Sequence, residues 1–371
     1  MNKPYTIQAN RLSNVSFKQY FWSAGSTLPY HLRSWIWLLF GFLFITNTQA
    51  QFVDNVSKVG TTAANFLEIG IGARAVAVGG AFAAMTDDIS ALYWNPAGLH
   101  HINNFELLMN HVNWIIDINL DYFGLAKNIP GIGVLGFSVT AVTMDEMKVR
   151  TVTQPDGTGE RFSSGDFAFQ LTFAKKITDR FALGVSVKSV YEHIWHMNSH
   201  SFAMDFGTMY RTDLNGMILG MSISNFGSSM KMIGSDNEIF ADVDKVNGGN
   251  NDKIRASLES GRFPLPLLFR FGIMLPLHIS EEQLLRLTID GIHPNNNYES
   301  VNVGMEYTYS GKYSVRAGYN SLFLKDGEGG LTIGAGLNLS PYENFALLLD
   351  YAWQDLGRLN NMHFFSISLK L

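Results

Sequence analysis

From Asn104 to Leu371 the chain alternates. Large apolar side chains stand at every second position, with small or polar ones between them, in stretch after stretch bounded by turn residues. Phe167, Phe169, Leu171 and Phe173 share one face of such a stretch, and Ala168, Gln170 and Thr172 share the other. Val301, Val303, Met305 and Tyr307 alternate with Asn302, Gly304, Glu306 and Thr308. The C-terminus repeats the pattern, with Phe365, Ile367, Leu369 and Leu371 set against Ser366, Ser368 and Lys370. Side chains of a strand point alternately to its two faces, so each stretch is apolar on one side only. About fourteen such stretches can be counted, each near the ~9–11 residues that a tilted strand needs to cross a bilayer. Lipid cannot satisfy loose backbone groups, so only helices and closed barrels span it. No apolar run after Gln51 is long enough for a spanning helix. The expected fold is therefore all-β: a transmembrane antiparallel β-barrel of about fourteen strands.

Connection lengths fit that expectation. Asn128–Gly131, Thr178–Arg180, Thr212–Asn215, Ile279–Gln283, Ser310–Lys312 and Ser340–Asn344 read as short polar turns. The alternate connections read as longer: Asp145–Ser164, Gly227–Leu265, Lys325–Gly330 and Gln354–Asn361. Bacterial barrels have short periplasmic turns and long extracellular loops, so the longer set is expected outside. Tyr122, Phe123, Tyr191, Trp195, Tyr307, Tyr309, Tyr351 and Trp353 are expected at the interfacial girdles.

The front of the chain agrees. Residues 1–50 carry Lys3, Arg11, Lys18 and Arg33 and no acidic residue. The apolar run Trp35–Ile45 follows, then Thr48-Gln49-Ala50. A basic region, a short apolar region and a small-residue cleavage site make residues 1–50 a signal peptide. Without its four basic residues the chain has 23 basic against 32 acidic residues, which excludes a nucleic-acid partner. The absence of cysteine excludes a disulfide scaffold and a lipoprotein anchor.

Residues 51–103 form a region of their own, rich in small side chains, with the run Gly70-Ile71-Gly72-Ala73-Arg74-Ala75-Val76-Ala77-Val78-Gly79-Gly80-Ala81. Placed before a barrel of residues 104–371, this segment is expected to plug the lumen. Residues 73–99 read ARAVAVGGAFAAMTDDISALYWNPAGL. The Ala-Arg pair, the Gly-rich stretch, Asp87-Asp88 and Asn95-Pro96-Ala97-Gly98-Leu99 resemble the N-terminal segment of the PorV/PorQ family of outer-membrane proteins, relatives of FadL-type channels. That resemblance implies a bacterial outer membrane and a non-enzymatic role in type IX secretion, with secretion-machine proteins and cargo C-terminal domains as partners. For FadL-type relatives it implies instead the passage of hydrophobic small molecules.

No catalytic, cofactor or metal site is expected. His193, His196 and His200 are the densest group of potential metal ligands, but His193 and His196 point to opposite faces of a strand and no carboxylate lies within their loop. His111 and Asp117 have no serine tied to them and no Gly-x-Ser-x-Gly elbow. Asp326-Gly-Glu-Gly-Gly is short of calcium ligands and reads as a hairpin loop. The informative polar residues are those that alternate with lipid-facing apolar ones. Lys188, Glu306, Arg316 and Asp350 must face the lumen, since a Lys or Arg turned to mid-bilayer lipid costs about 2–4 kcal/mol. Arg74, Asp87 and Asp88 are candidate partners for them, and the Asn95-Pro96 turn is a candidate anchor of the plug. The outer surface is expected to meet membrane lipid and lipopolysaccharide.

Overall fold

The computed structural model describes residues 58–242, 254–325, 327–342 and 345–371. The expected signal peptide lies outside the described residues. Fourteen strands form the wall. They are β1 (Phe105–Asn113), β2 (Ile118–Ile129), β3 (Gly133–Met144), β4 (Ser164–Lys176), β5 (Phe181–Ile194), β6 (Met197–Arg211) and β7 (Ile218–Gly227), followed by β8 (Leu268–Ser280), β9 (Gln283–Pro294), β10 (Ser300–Tyr309), β11 (Tyr313–Leu322), β12 (Leu331–Tyr342), β13 (Phe345–Leu356) and β14 (Leu359–Lys370). Each pairs antiparallel with its sequence neighbours, and β1 pairs with β14, Leu107 opposite Leu369, which closes the sheet. Closure leaves no edge of unpaired N–H and C=O groups, which is what lipid requires.

The register turns the sequence alternation into two surfaces. Leu171, Val187, Met204 and Phe226 stand side by side on β4–β7, all exposed on the outer face. One residue away, Gln170, Lys188 and Ala203 line up on the inner face, all buried. At one end of the barrel the connections are tight. At the other lie the longer excursions, including two small hairpins, Met147–Lys148 with Arg161–Phe162 and Glu238–Ala241 with Ile254–Ser257. Two expectations fail here. Gln354–Asn361 is not a long loop: β13 runs to Leu356, β14 starts at Leu359, and the link is Gly357-Arg358 with Gly357 at φ 62°. Glycine adopts that conformation without strain, so both strands continue to the turn. Tyr122 is not a girdle residue. Its even position on β2 faces inward, and it is buried at 4% exposure.

Residues 58–103 lie inside this wall and form a hatch. It contains two short helices, α1 (Ala73–Ala77) and α2 (Ala91–Trp94), and a 3-10 turn at Pro96–His101. Ile71, Phe82, Ile89, Leu92 and Leu99 are almost wholly buried. Each such side chain contributes about 1.5–3 kcal/mol of burial. Inward-facing glycines let hatch backbone touch wall backbone. A Cβ on Gly207 would fall 2.1 Å from Asn95 Oδ1, and one on Gly184 would fall 2.2 Å from the Pro96 carbonyl carbon. Hydrogen bonds reach the hatch from every side. Ala73 N donates to Ser366 Oγ at 2.7 Å, Ala83 N to Asp290 Oδ2 at 2.8 Å, Gln170 Nε2 to Leu92 O at 2.6 Å, and Thr332 Oγ1 to Ala77 O at 3.0 Å.

Candidate functional site: two faces of the hatch

The hatch has two unlike faces. The face toward the short turns carries a cluster of charges. Arg74, on α1, meets Asp87 and Asp88 at 2.5 Å each and Glu306 of β10 at 2.9 Å. Arg286 of β9 reaches Glu306 at 2.5 Å and Asp87 at 3.4 Å. Arg316 of β11 binds Glu306 at 2.6 Å and Asp350 of β13 at 2.6 Å. Three guanidiniums thus interlock with four carboxylates, and Glu306 at the centre is 1% exposed. Burial pushes the Asp87 carboxyl up, but Arg74 and Arg286 together pull it down further, to about 2. The cluster ties the hatch to β9 and β10 directly and to β11 and β13 through Arg316. Cavities of about 410 and 640 Å³ lie beside it at the short-turn end. His100 lines the larger one, and burial together with the adjacent His101 lowers its pKa to about 4.

Of the residues singled out in the sequence, Arg74, Asp87, Asp88, Glu306, Arg316 and Asp350 come together in this cluster. Arg74 meets Glu306 directly, whereas Asp350 is held by Arg316. Lys188 stands apart in the wall, 2.8 Å from both Asp205 and Asn225. Asn95 is fully buried and donates to Ala83 O at 2.7 Å and Thr208 O at 3.1 Å. It also caps the Pro96–His101 turn through Ala97 N, and Pro96, with no N–H to leave unpaired, opens it. Arg286 and the Glu106–Lys370 pair (3.1 Å) went unnoticed in the sequence, although their alternation on β9, β1 and β14 marks them inward like the rest.

The histidine cluster is an outer feature. His193 and His200 are on the outer side of β5 and β6, His193 stacked on Tyr191 and His200 tilted against it. His196 meets carboxylates from two other connections, Asp236 at 2.9 Å and Glu160 at 3.8 Å, and none from its own loop. Among the described residues no three His, Asp or Glu side chains are grouped to hold a metal ion. His111 pairs with Asp121 at 2.7 Å rather than with Asp117.

The face toward the long connections carries a cavity of about 450 Å³. Its apolar wall includes Trp94 of the hatch, Trp114 of the first loop, Leu268, Ile292 and Phe364. Trp94 is fixed edge-on against Tyr93 and Phe82, with its Nε1 donating to Ile71 O at 2.8 Å. Polar groups in the wall include Arg270, Glu68 and Asn296, and Asn296 Nδ2 donates to Glu68 at 2.9 Å. Burial raises the pKa of Glu68. Asn297, Ser300, Asn302, Asn320, Ser321 and Gln354 line it too, so polar and apolar groups share the wall. A concave site that combines an apolar wall with convergent polar groups can bind a small molecule.

A closed fourteen-stranded antiparallel barrel whose lumen is filled by its own N-terminal segment defines the fold class. Two solved structures share the fold: the CymD monoaromatic hydrocarbon channel, 12% identical with a TM-score of 0.53, and the Ralstonia pickettii toluene transporter TbuX, 12% identical with a TM-score of 0.52. Each alignment covers 81% of this chain and 97% of the other. At that identity the likeness is one of fold. The chain itself belongs to the uncharacterised protein family UPF0164, which it matches over residues 45–238. A search of curated proteins finds no match.

Proposed function

We propose that this protein is an outer-membrane channel for small hydrophobic molecules, taken up at the long-loop end and passed inward when the hatch shifts. The observation that carries this reading is the cavity of about 450 Å³ walled by Trp94, Trp114, Leu268, Ile292 and Phe364, which lies directly on the hatch. Short connections face the periplasm in barrels of this kind, so the cavity opens toward the outside and the charge cluster toward the periplasm. The two solved channels of the same fold support the reading. The role in type IX secretion implied by the PorV/PorQ resemblance gains no comparable support.

Uptake of a radiolabelled monoaromatic hydrocarbon tests it. The assay compares intact cells with a lipopolysaccharide-covered outer membrane, with and without this protein. Expression should raise the initial uptake rate, and Trp94→Ala should reduce the gain. Equal rates with and without the protein, together with co-purification of secreted cargo, would favour the secretion role instead.

A further inference from the structure

The buried cations of the lumen are not treated alike. Arg74, Arg286, Arg316 and Lys188 each hold at least one carboxylate within 3.0 Å. Arg270, on β8 near the long-connection end, is more buried than Arg74 or Arg286, at 4% exposure, yet among the described residues no carboxylate lies within 4.0 Å of it. The groups it touches are neutral, and the carboxylates of Glu68 and Asp290 act on it only from beyond 4.0 Å. The guanidinium sits 5.1 Å from the Trp94 ring centre and 5.7 Å from that of Tyr93, and Nη1 donates to Ser224 Oγ at 3.4 Å. Ser224 and Tyr93 offer two side-chain oxygens to five N–H donors. A guanidinium cannot escape by losing its proton, and an uncompensated buried charge is costly. The remaining donors have one place to turn, because Arg270 lines the cavity of about 450 Å³. Beside it are the rings of Trp94 and Trp114 and the side chains of Leu268, Ile292 and Phe364.

Resting on the reading of the protein as a small-molecule channel, we propose that this cavity binds a compact aromatic carboxylate. Its carboxylate pairs with Arg270 and its ring lies among Trp94, Trp114 and Phe364. The guanidinium fork matches a carboxylate in two parallel hydrogen bonds, and such charge-assisted pairs are the strong ones. The volume suits a molecule of one or two rings, since ligand sites run from about 300 to 1,000 Å³. A neutral hydrocarbon fits the same apolar wall but gains nothing from the guanidinium, so it is held more weakly than the carboxylate. Glu68, in the same wall, has no cation within 4.0 Å among the described residues. It decides whether an ammonium on the ligand is accepted as well.

The test uses the purified full chain and tryptophan fluorescence, titrated with phenylacetate, phenylalanine and methyl phenylacetate. Phenylacetate should bind saturably and more tightly than its methyl ester. Arg270→Met should weaken phenylacetate by about 30-fold or more and leave the ester unchanged. Arg270→Lys should keep part of the affinity. Phenylalanine binding as well as phenylacetate, and losing that affinity in Glu68→Gln, would support the carboxylate site and extend it to zwitterions. The unliganded Arg270→Met barrel should resist denaturant at least as well as the parent, since it loses a buried charge with no carboxylate within 4.0 Å among the described residues. Ester binding equal to phenylacetate binding, or an Arg270→Met variant that keeps full affinity, would overturn the carboxylate site and leave the channel reading intact. Binding of none of the three probes would count against both.

Discussion

The two faces of the hatch solve the problem of buried charge in opposite ways. On the short-turn face, Arg74, Arg286 and Arg316 are locked to Asp87, Asp88, Glu306 and Asp350. On the long-loop face Arg270 lies against two aromatic rings with no carboxylate in reach among the described residues. A satisfied network holds parts in a single arrangement, and breaking it leaves charges stranded. An unsatisfied cation beside a cavity is prepared for something that arrives. On the proposed reading, closure belongs to one face and recognition to the other.

The largest effect is expected from Arg74→Ala. Arg74 and Asp88 are each 12% exposed, and no other cation reaches Asp88 among the described residues, so the variant leaves that carboxylate unpaired and takes one of three guanidiniums from Glu306. The cost should be about 3–5 kcal/mol, read as a lower denaturant midpoint for the folded barrel. A change below ~1 kcal/mol, the range of exposed pairs, would mean that the cluster is wet and the contrast false. Arg270→Met, measured alongside, should cost little or nothing.

Next comes Gly207→Leu. Its side chain would have to occupy the place of Asn95 Oδ1 and the Pro96 ring, from which even a Cβ stands only 2.1 and 2.8 Å away. Overpacking of this kind costs about 1–3 kcal/mol, and here the hatch rather than the wall should yield. Proteolysis of the 58–103 segment should then become faster while heat-modifiable mobility of the barrel persists. Asn95→Ala should act in the same direction but more weakly, since it frees the buried carbonyls of Ala83 and Thr208 at about 1–3 kcal/mol each.

The smallest effect is a pH dependence. The folded His100 has a pKa of about 4, below its free value, so it stays neutral where a released hatch would take up a proton. The contribution is complete above about pH 6.5 and declines as pH falls toward 4. Asp87, held near 2, adds stability above about pH 4 that disappears between about 4 and 2. Acidification should therefore loosen the hatch in two stages. His100→Gln should remove the upper stage alone, seen as a flat protease-sensitivity profile between pH 6.5 and 4.5.

Much of the wall was legible because alternation is a local signal that the solvent enforces at every position. Lumen charges such as Lys188, Glu306 and Arg316 follow from the same rule. The pairing of Arg74 with Asp87 and Glu306 required knowing how a segment with no periodicity folds inside a closed space, and small residues permit many packings. Arg270 was missed although Leu268-Phe269-Arg270-Phe271 shows the same inward charge; that no carboxylate lies within 4.0 Å of it among the described residues is a fact of three dimensions. Tyr122 was misplaced because an aromatic near a strand end fits the girdle or the lumen equally well until parity along β2 decides. Gln354–Asn361 was misread because Gly357 interrupts the alternation for only two residues.

The division of labour rests on the hatch closing the lumen, and single-channel conductance in planar bilayers tests that most directly. The parent protein should show little conductance. Deletion of Gly70–Leu99, which removes both short helices and Arg74, should leave a barrel with unchanged heat-modifiable mobility and a large, steady conductance. An equally low conductance in parent and deletion would contradict the assignment of closure to this segment.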